Sequence, residues 1–350
     1  MEVLKLNETP VRTSKNFNMN NIKLEDINIP NIIEEFKNIE MSKNISNNEV
    51  SNINLNYGIG SILINQLKEK SNKKIKIIID EKMNENIVIT FKFDNNNINL
   101  LENIEIIAEE NSSGTIILRY ETSDENIYYH NGIIRAHLKN NSKINIVIAN
   151  LINIKSNNFL TVDNLIESNA KVDYTIIDFG GKNSITNYYS NLIGNKSDNF
   201  INTIYLGKDN QLFDLNYIAE LKGEKSNINI EVQGALTDKA KKNFKGTIDF
   251  KKGCKGATGN ENENCMLLSD TAKSLALPML LCSEESVEGN HSSSAGKIEE
   301  KELFYIMSRG FEYKEAMKLI VRAKFNKILE NINDKELLDR ILKEIDQRLN

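Results

Sequence analysis

The sequence predicts a mainly β protein, a stacked β-solenoid with helical regions at its two ends. Three observations carry that prediction. From about Lys74 to about residue 290 the chain is a succession of short, β-branched, often alternating runs, with Asn, Ser, Gly or Asp between them. So long a stretch of closely spaced short strands means a sandwich, a barrel or a stacked coil. The turns NNSK, ESNAK, GGKNS and KGEKSN are polar and lack the Asn-Gly pairs that tight hairpins favour. Asn also suits the corners of a parallel coil, because it tolerates left-handed dihedrals and hydrogen-bonds its own backbone. The Asn and Ile excess itself has a plainer source in an AT-rich genome; the placement of these residues is what informs. No strict repeat is visible, so periodicity alone leaves a sandwich open.

Residues 1–70 form an N-terminal mixed and helical region. In it NIIEEFKNIEMSKN (31–44) and GIGSILINQLKEKSN (58–72) space apolar residues by three and four, as short amphipathic helices do. Residues 71–295 form the β core, with strands such as KIKIIID, NIVITFKF, INLLENIEIIAEE, GTIILRYE, KINIVIANL, KVDYTIIDFG, NTIYLG, INIEVQGAL and KGTIDF. Residues 296–350 are helical. KIEEKELFYIMSRG places Glu299 and Glu302 near a positive N-terminus, with Arg309 in the last turn and Gly310 as the stop. FEYKEAMKLIVRAKFNKILENI puts Ala316, Leu319, Ile320 and Ala323 on one stripe. NDKELLDRILKEIDQRL offers Asn333 and Glu336 as a capping box, and Leu337, Leu338, Ile341, Leu342, Ile345 and Leu349 as its stripe.

Composition bounds the function. With 350 residues, a core of two or three structural units is affordable to the chain. The 44 Lys and Arg against 49 Asp and Glu give a net charge of −5, which argues against nucleic acid. No apolar run approaches the roughly 18 residues of a membrane helix. MEVLKLNETPVRTSKNFN lacks the apolar centre of a secretory signal. Three Cys make no disulfide framework, so a reducing cytoplasm is expected.

Few residues could do metal or nucleophilic chemistry. Cys254, Cys265, Cys282 and His291 follow one another at gaps of 11, 17 and 9 residues, and no C-x-x-C occurs. In a coil, however, residues on successive turns stack, and thiol and imidazole suit Fe–S, Zn or Cu(I). The alternative is that the cysteines are small core hydrophobes. His130 and His137 flank a strand-like IIRAHL and read as structural or surface residues. His291 lies in the small-residue segment Gly289 to Gly296, read as a junction loop with room around an imidazole. No P-loop, G-x-S-x-G, H-E-x-x-H or dinucleotide motif is present, so the chain does not read as an autonomous catalyst. A β-solenoid could instead be a polysaccharide-active enzyme; the absence of Trp and of a signal argues against that class.

The stretch GNHSSSAGKIEEKELFYIMSRGFEYKEAMKLIVRAKF closely resembles the C-terminal signature of the SufB/SufD family of iron–sulfur cluster assembly proteins. The matching residues are His291, Leu303-Phe304-Tyr305, Ser308-Arg309-Gly310 and Glu315-Ala316. Upstream, GALTDKAKKNFKGTIDF and CMLLSDTAKSLALP are similar to the family's segments, so the clear match covers about residues 230–330. ETPVRTSKNFN is faintly similar to the family's N-terminus.

The resemblance implies a right-handed parallel β-helix between helical N- and C-terminal regions. It implies pairing with a SufB-like protein, or with itself, through the β-helix. The C-terminal helices would bind a SufC ATPase, which would carry the ATP hydrolysis, and a cysteine desulfurase system would supply sulfur indirectly. A transient iron–sulfur cluster or iron would sit at a shared interface, with no other bound cofactor required; no flavin motif is recognisable. Ser292 follows His291 where SufB-like chains have Glu, and Glu263 stands roughly where their essential cysteine aligns, with Cys265 two positions off. Leu267-Leu268-Ser269-Asp270 matches SufD-like chains, so the resemblance is SufD-like, with a homodimeric SufB-like scaffold as the alternative. Gly289 replaces a Cys common in SufD-like chains, so no thiol adjoins His291. The expected cluster or metal residues are His291, Cys254 and Cys265. The expected partner-binding residues are Phe304, Tyr305, Met307 and Arg309.

Overall fold

The structure, a computed structural model, describes residues 3–13, 18–24, 27–42 and 49–350. A short antiparallel pair, β1 (Leu4–Leu6) with β2 (Ile22–Leu24), precedes β3 (Ile39–Met41) and the helix α1 (Ser61–Lys70). Two parallel sheets then alternate along the chain, one strand to each per turn, giving a solenoid of about eight turns. The first sheet holds β4 (Lys73–Ile79), β6 (Asn99–Ala108), β8 (Tyr129–Leu138), β10 (Asn157–Ile166), β12 (Asn183–Leu192), β14 (Leu212–Leu221), β16 (Lys241–Phe250) and β18 (Lys273–Cys282). The second holds β5 (Ile87–Phe93), β7 (Ser113–Thr122), β9 (Lys143–Leu151), β11 (Lys171–Asp178), β13 (Asp198–Gly207), β15 (Asn227–Leu236), β17 (Thr258–Leu267) and β19 (Glu288–Gly296). At the opening end β3 pairs antiparallel with β5 and covers that sheet's edge.

The coil resolves the choice left open between sandwich and solenoid, and it explains the missing repeat. Asn157 lies on Asn183, 26 residues on, whereas Lys241 lies on Lys273, 32 residues on. The turn length varies, so no fixed period survives in sequence. What repeats is one corner. Asn111, Asn141, Asn169, Lys196 and Lys225 all have φ between 55° and 63°. Each donates its backbone N–H to a carbonyl of the next turn's corner, as Asn141 does to Ser168 at 3.0 Å and Lys225 to Lys255 at 2.9 Å. Buried serines close the same corner, with Ser142 Oγ donating to Lys139 O and Ser226 Oγ to Gly223 O. Left-handed backbone costs a residue with a Cβ about 1–2 kcal/mol, and Asn least among them. Lys225→Gly is therefore expected to raise stability by about 1 kcal/mol, whereas Asn169→Ala lowers it by a similar amount, both read in chemical denaturation.

Inside the coil, alternate residues of both sheets form one continuous core, from Ile75 and Ile89 through Tyr120, Ile146, Tyr174 and Tyr217 to Phe244 and Cys265. The outer faces are covered too. On the first sheet, α1 and the N-terminal strands bury Leu101, Tyr129, Ile133, Phe159 and Ile185. There Asn7 donates to Asp214 Oδ1 at 2.8 Å and accepts from Lys245 Nζ at 2.9 Å on its carbonyl, over a buried Lys245–Asp214 pair at 2.6 Å.

After α2 (Glu300–Met307), the helices α3 (Tyr313–Leu329) and α4 (Lys335–Arg348) cover the second sheet. Phe325, Ile328, Ile341 and Ile345 pack on Val147, Ile177, Phe179 and Ile204. Burial on both faces erases strict alternation, as it does in other parallel sheets.

In the helical regions, three sequence expectations change. GIGSILINQLKEKSN does fold as a helix, but described residues 31–38 are irregular and run into β3, with residues 43 and 44 outside the described set. Phe36 is drawn into the solenoid's end, where its ring meets Phe91 and Phe93, so tertiary packing overrides the helical spacing. In α3 the buried stripe is Ala316, Ile320, Val321, Phe325, Ile328 and Leu329, while Leu319 and Ala323 face outward, because the helix leaves α2 and then settles on the sheet. In α4 the cap is Asp334, not Asn333; its carboxylate accepts from Leu337 N at 2.9 Å. The similarity noted for ETPVRTSKNFN falls partly on residues 14–17, outside the described set.

Candidate functional site

The solenoid's closing turn differs from the others in what it points inward. On β17, Gly259, Glu261, Glu263 and Cys265 are buried, while the alternate Asn260, Asn262 and Asn264 face outward. β19 pairs in register on β17, setting His291 on Glu261, Ser293 on Glu263 and Ala295 on Cys265. The segment expected as a junction loop is therefore a strand. Its small side chains permit this, and its outward residues are held rung to rung: Asn290 donates to Asn260 at 3.1 Å, Ser292 to Asn262 at 2.7 Å and Ser294 to Asn264 at 2.5 Å. Among the described residues no further strand pairs with β19, so His291 is exposed while sharing a column with buried Glu261.

Glu263 is the anchor of this end. It accepts from Lys242 Nζ at 2.6 Å, from Tyr205 OH at 3.2 Å and from Ser293 Oγ at 2.8 Å, and both Lys242 and Glu263 are fully buried. Tyr205 reaches it by lying across Gly234, where an added Cβ would fall 1.8 Å from the ring. Glu261 is the opposite case. Its side chain is 2% exposed, neither oxygen has a partner, and it lies against Gly246, where a Cβ would come within 2.0 Å of Oε2. Burial first, then the charge of Glu263, pushes its carboxyl up to about 8.

The cysteines do not join His291. Cys254 is buried at the corner between β16 and β17, Cys265 lies inside the coil beside Tyr205, and burial raises both thiols. Cys265 is four residues along the strand from Glu261, about 13 Å at strand rise. No three His, Cys, Asp or Glu side chains among the described residues converge as a ready metal site. His130 is buried against Glu102 at 2.8 Å and His137 pairs with Glu167 at 2.7 Å, structural and surface roles as the sequence suggests.

Glu261, Lys242 and Tyr205 escaped sequence reading. The run Glu261-Asn262-Glu263-Asn264 alternates, yet both of its phases are polar, so nothing marked which one faces inward.

The second feature is α2. Leu303 turns in towards Ala316 and Ile320, whereas Phe304 is 73% and Tyr305 59% exposed. Met307, Phe311 and Tyr313 extend this surface, and Arg309 lies over the Tyr305 ring and donates to its hydroxyl at 2.9 Å. Gly310, at φ 95°, turns the chain into α3.

These features define a parallel β-solenoid protein with a polar, histidine-bearing last rung and an exposed aromatic helix. The chain belongs to the SufBD family of iron–sulfur cluster assembly proteins: the family profile "SUF system FeS cluster assembly, SufBD core domain" matches residues 91–324. It is 26% identical over 152 residues to SufD of Bacillus subtilis, covering 43% of this chain and 35% of that protein. It is 28% identical over 241 residues to a SufBD-family protein of Pyrococcus horikoshii, covering 65% and 51%. With SufD of Escherichia coli it shares 27% over 114 residues, covering 33% and 27%. The matched stretches thus span about half or less of these relatives' own lengths. No helix of the described residues is long and apolar enough to cross a membrane.

Proposed function

We propose that the chain is a SufD-like, non-catalytic scaffold subunit for iron–sulfur cluster assembly in the cytoplasm. It pairs with a SufB-like protein through the open end of its solenoid and binds a SufC ATPase through α2 and the start of α3. The observation that carries this reading is the exposed last rung, where His291 stands over buried carboxylates and, among the described residues, no further strand covers it. An imidazole at an interface complements a partner's thiolate and would orient iron or a nascent cluster there. The buried Cys254 and Cys265 are better suited to packing than to ligation, although Cys265 lies within the same turn. His291→Ala is expected to abolish support of Fe–S enzyme maturation in cells; full support from this variant would sink the role of the imidazole.

On α2, aromatic anchors surrounded by polar groups are the composition of interface hot spots. Pull-down of a SufC ATPase, with and without residues 296–350, tests this contact, and failure of the intact chain to bind would remove the reading. Phe304→Ala with Tyr305→Ala is expected to weaken SufC binding about 30-fold by titration calorimetry, roughly 2 kcal/mol. Both side chains are exposed, so the melting temperature should not move.

A further inference from the structure

We infer that Glu261 is a cation ligand, forming with His291 a half-site for ferrous ion at the open end of the solenoid. This rests on the proposed role in iron–sulfur assembly and adds to it a second ligand and an order of events, with Fe2+ taken up by this chain before any partner contributes a thiolate.

The argument begins with an orphan. A buried carboxylate is costly unless it is hydrogen-bonded, paired or bound to a metal. Glu261 is buried, and neither of its oxygens has a partner. The cation of this turn, Lys242, is already engaged by Glu263 at 2.6 Å and by the Leu275 carbonyl at 3.2 Å. Tyr205 and Ser293 also turn to Glu263. Lys242, Tyr205 and Ser293 therefore all serve Glu263, and none of them bonds to Glu261.

Position supplies the second ligand. His291 pairs in register with Glu261, on the same face of the next strand, about 4.8 Å away across the ladder. The other inward residues of β19 are Gly289, Ser293 and Ala295, so His291 is the one large side chain that this strand places beside Glu261. An oxygen and an imidazole nitrogen form a borderline-hard donor pair, which suits Fe2+, Mn2+ or Co2+ better than Cu(I). Two protein ligands are a half-site, and water or a partner's donors complete it. That agrees with the lack of a third converging side chain among the described residues.

The test uses the full chain under anaerobic conditions. Fe2+ binding is measured by calorimetry, and Co2+ binding by its visible absorption. Wild type is expected to bind one ion per chain. Glu261→Gln and His291→Ala should each weaken binding at least tenfold and alter the Co2+ spectrum, and Cys265→Ser should leave both unchanged. Glutamine keeps the shape of the side chain, so an unchanged circular dichroism spectrum confirms that the loss is not misfolding. Glu261→Asp, which withdraws the carboxylate by one methylene, gives an independent loss if the Gln variant folds poorly. Wild-type affinity and spectrum in both Glu261 variants would overturn the inference, as would the absence of saturable binding in the wild type. Either result would leave the SufC pull-down and the His291→Ala maturation phenotype standing, so failure here is separable from failure of the proposed function.

Discussion

Lys242→Met is expected to destabilise the chain by about 3–5 kcal/mol, the usual cost of removing one partner from a buried ion pair. Lys242 and Glu263 are both fully buried at 2.6 Å, and methionine fills the aliphatic volume without supplying a charge. Glu263 would keep Tyr205 OH and Ser293 Oγ but lose the cation bonded to it, and the Leu275 carbonyl would lose the Lys242 donor. Against a total stability of roughly 5–15 kcal/mol such a loss is large. The double variant Lys242→Met/Glu263→Gln should recover most of it, because a neutral pair no longer leaves a charge stranded. Urea denaturation of the wild type, both single variants and the double variant measures the coupling. Additive losses would mean that the pair contributes only packing.

How the fold was legible follows from which faces are covered. NIVITFKF, GTIILRYE and KINIVIANL announce themselves because their outward residues are also apolar or clearly polar. NNFLTVDNLI and NSITNYYSNL, which became β10 and β12, do not. Their outward Thr161 and Asn187 are buried beneath the N-terminal segment, with Asn187 bonded to Asn7, and this blurs the period of two. The corner motif was present in sequence, in NNSK, ESNAK and KGEKSN. Varying turn length hid its regularity until the parallel register was known.

His291, Phe304 and Tyr305 were picked out as candidates through the family signature. The strand beneath His291 was not, because Gly289 to Gly296 has almost no β-propensity; it pairs because Asn260, Asn262 and Asn264 offer a ladder of amides. Tertiary context also decides between Glu261 and Glu263. The same residue type two positions apart is anchored in one case and orphaned in the other, according to where Lys242 and Tyr205 reach.

In metal-free protein, with chelator present, Glu261→Gln is expected to be more stable than wild type at high pH and similar to it near pH 4. The folded carboxyl titrates at about 8, raised by burial and by Glu263, against about 4.3 for an unfolded Glu. Between those values the folded chain holds a proton that the unfolded chain has released. Wild-type stability attributable to this group therefore falls as pH rises from about 4 to about 8, and is level above that. The gap between those two values, at about 1.4 kcal/mol per pKa unit, amounts to a difference on the order of 5 kcal/mol above pH 8. Glutamine does not titrate, so its contribution is flat and the two stability curves should diverge across that window. Denaturation midpoints taken between pH 4 and pH 9 measure the divergence. Parallel curves would mean that the buried carboxylate costs the fold nothing, and the burial cost argued for an unpartnered Glu261 would have no basis. Divergence would establish that the closing turn keeps a destabilising acid in a place where an amide of the same shape would serve the fold better, the pattern expected where function and not stability sets the residue.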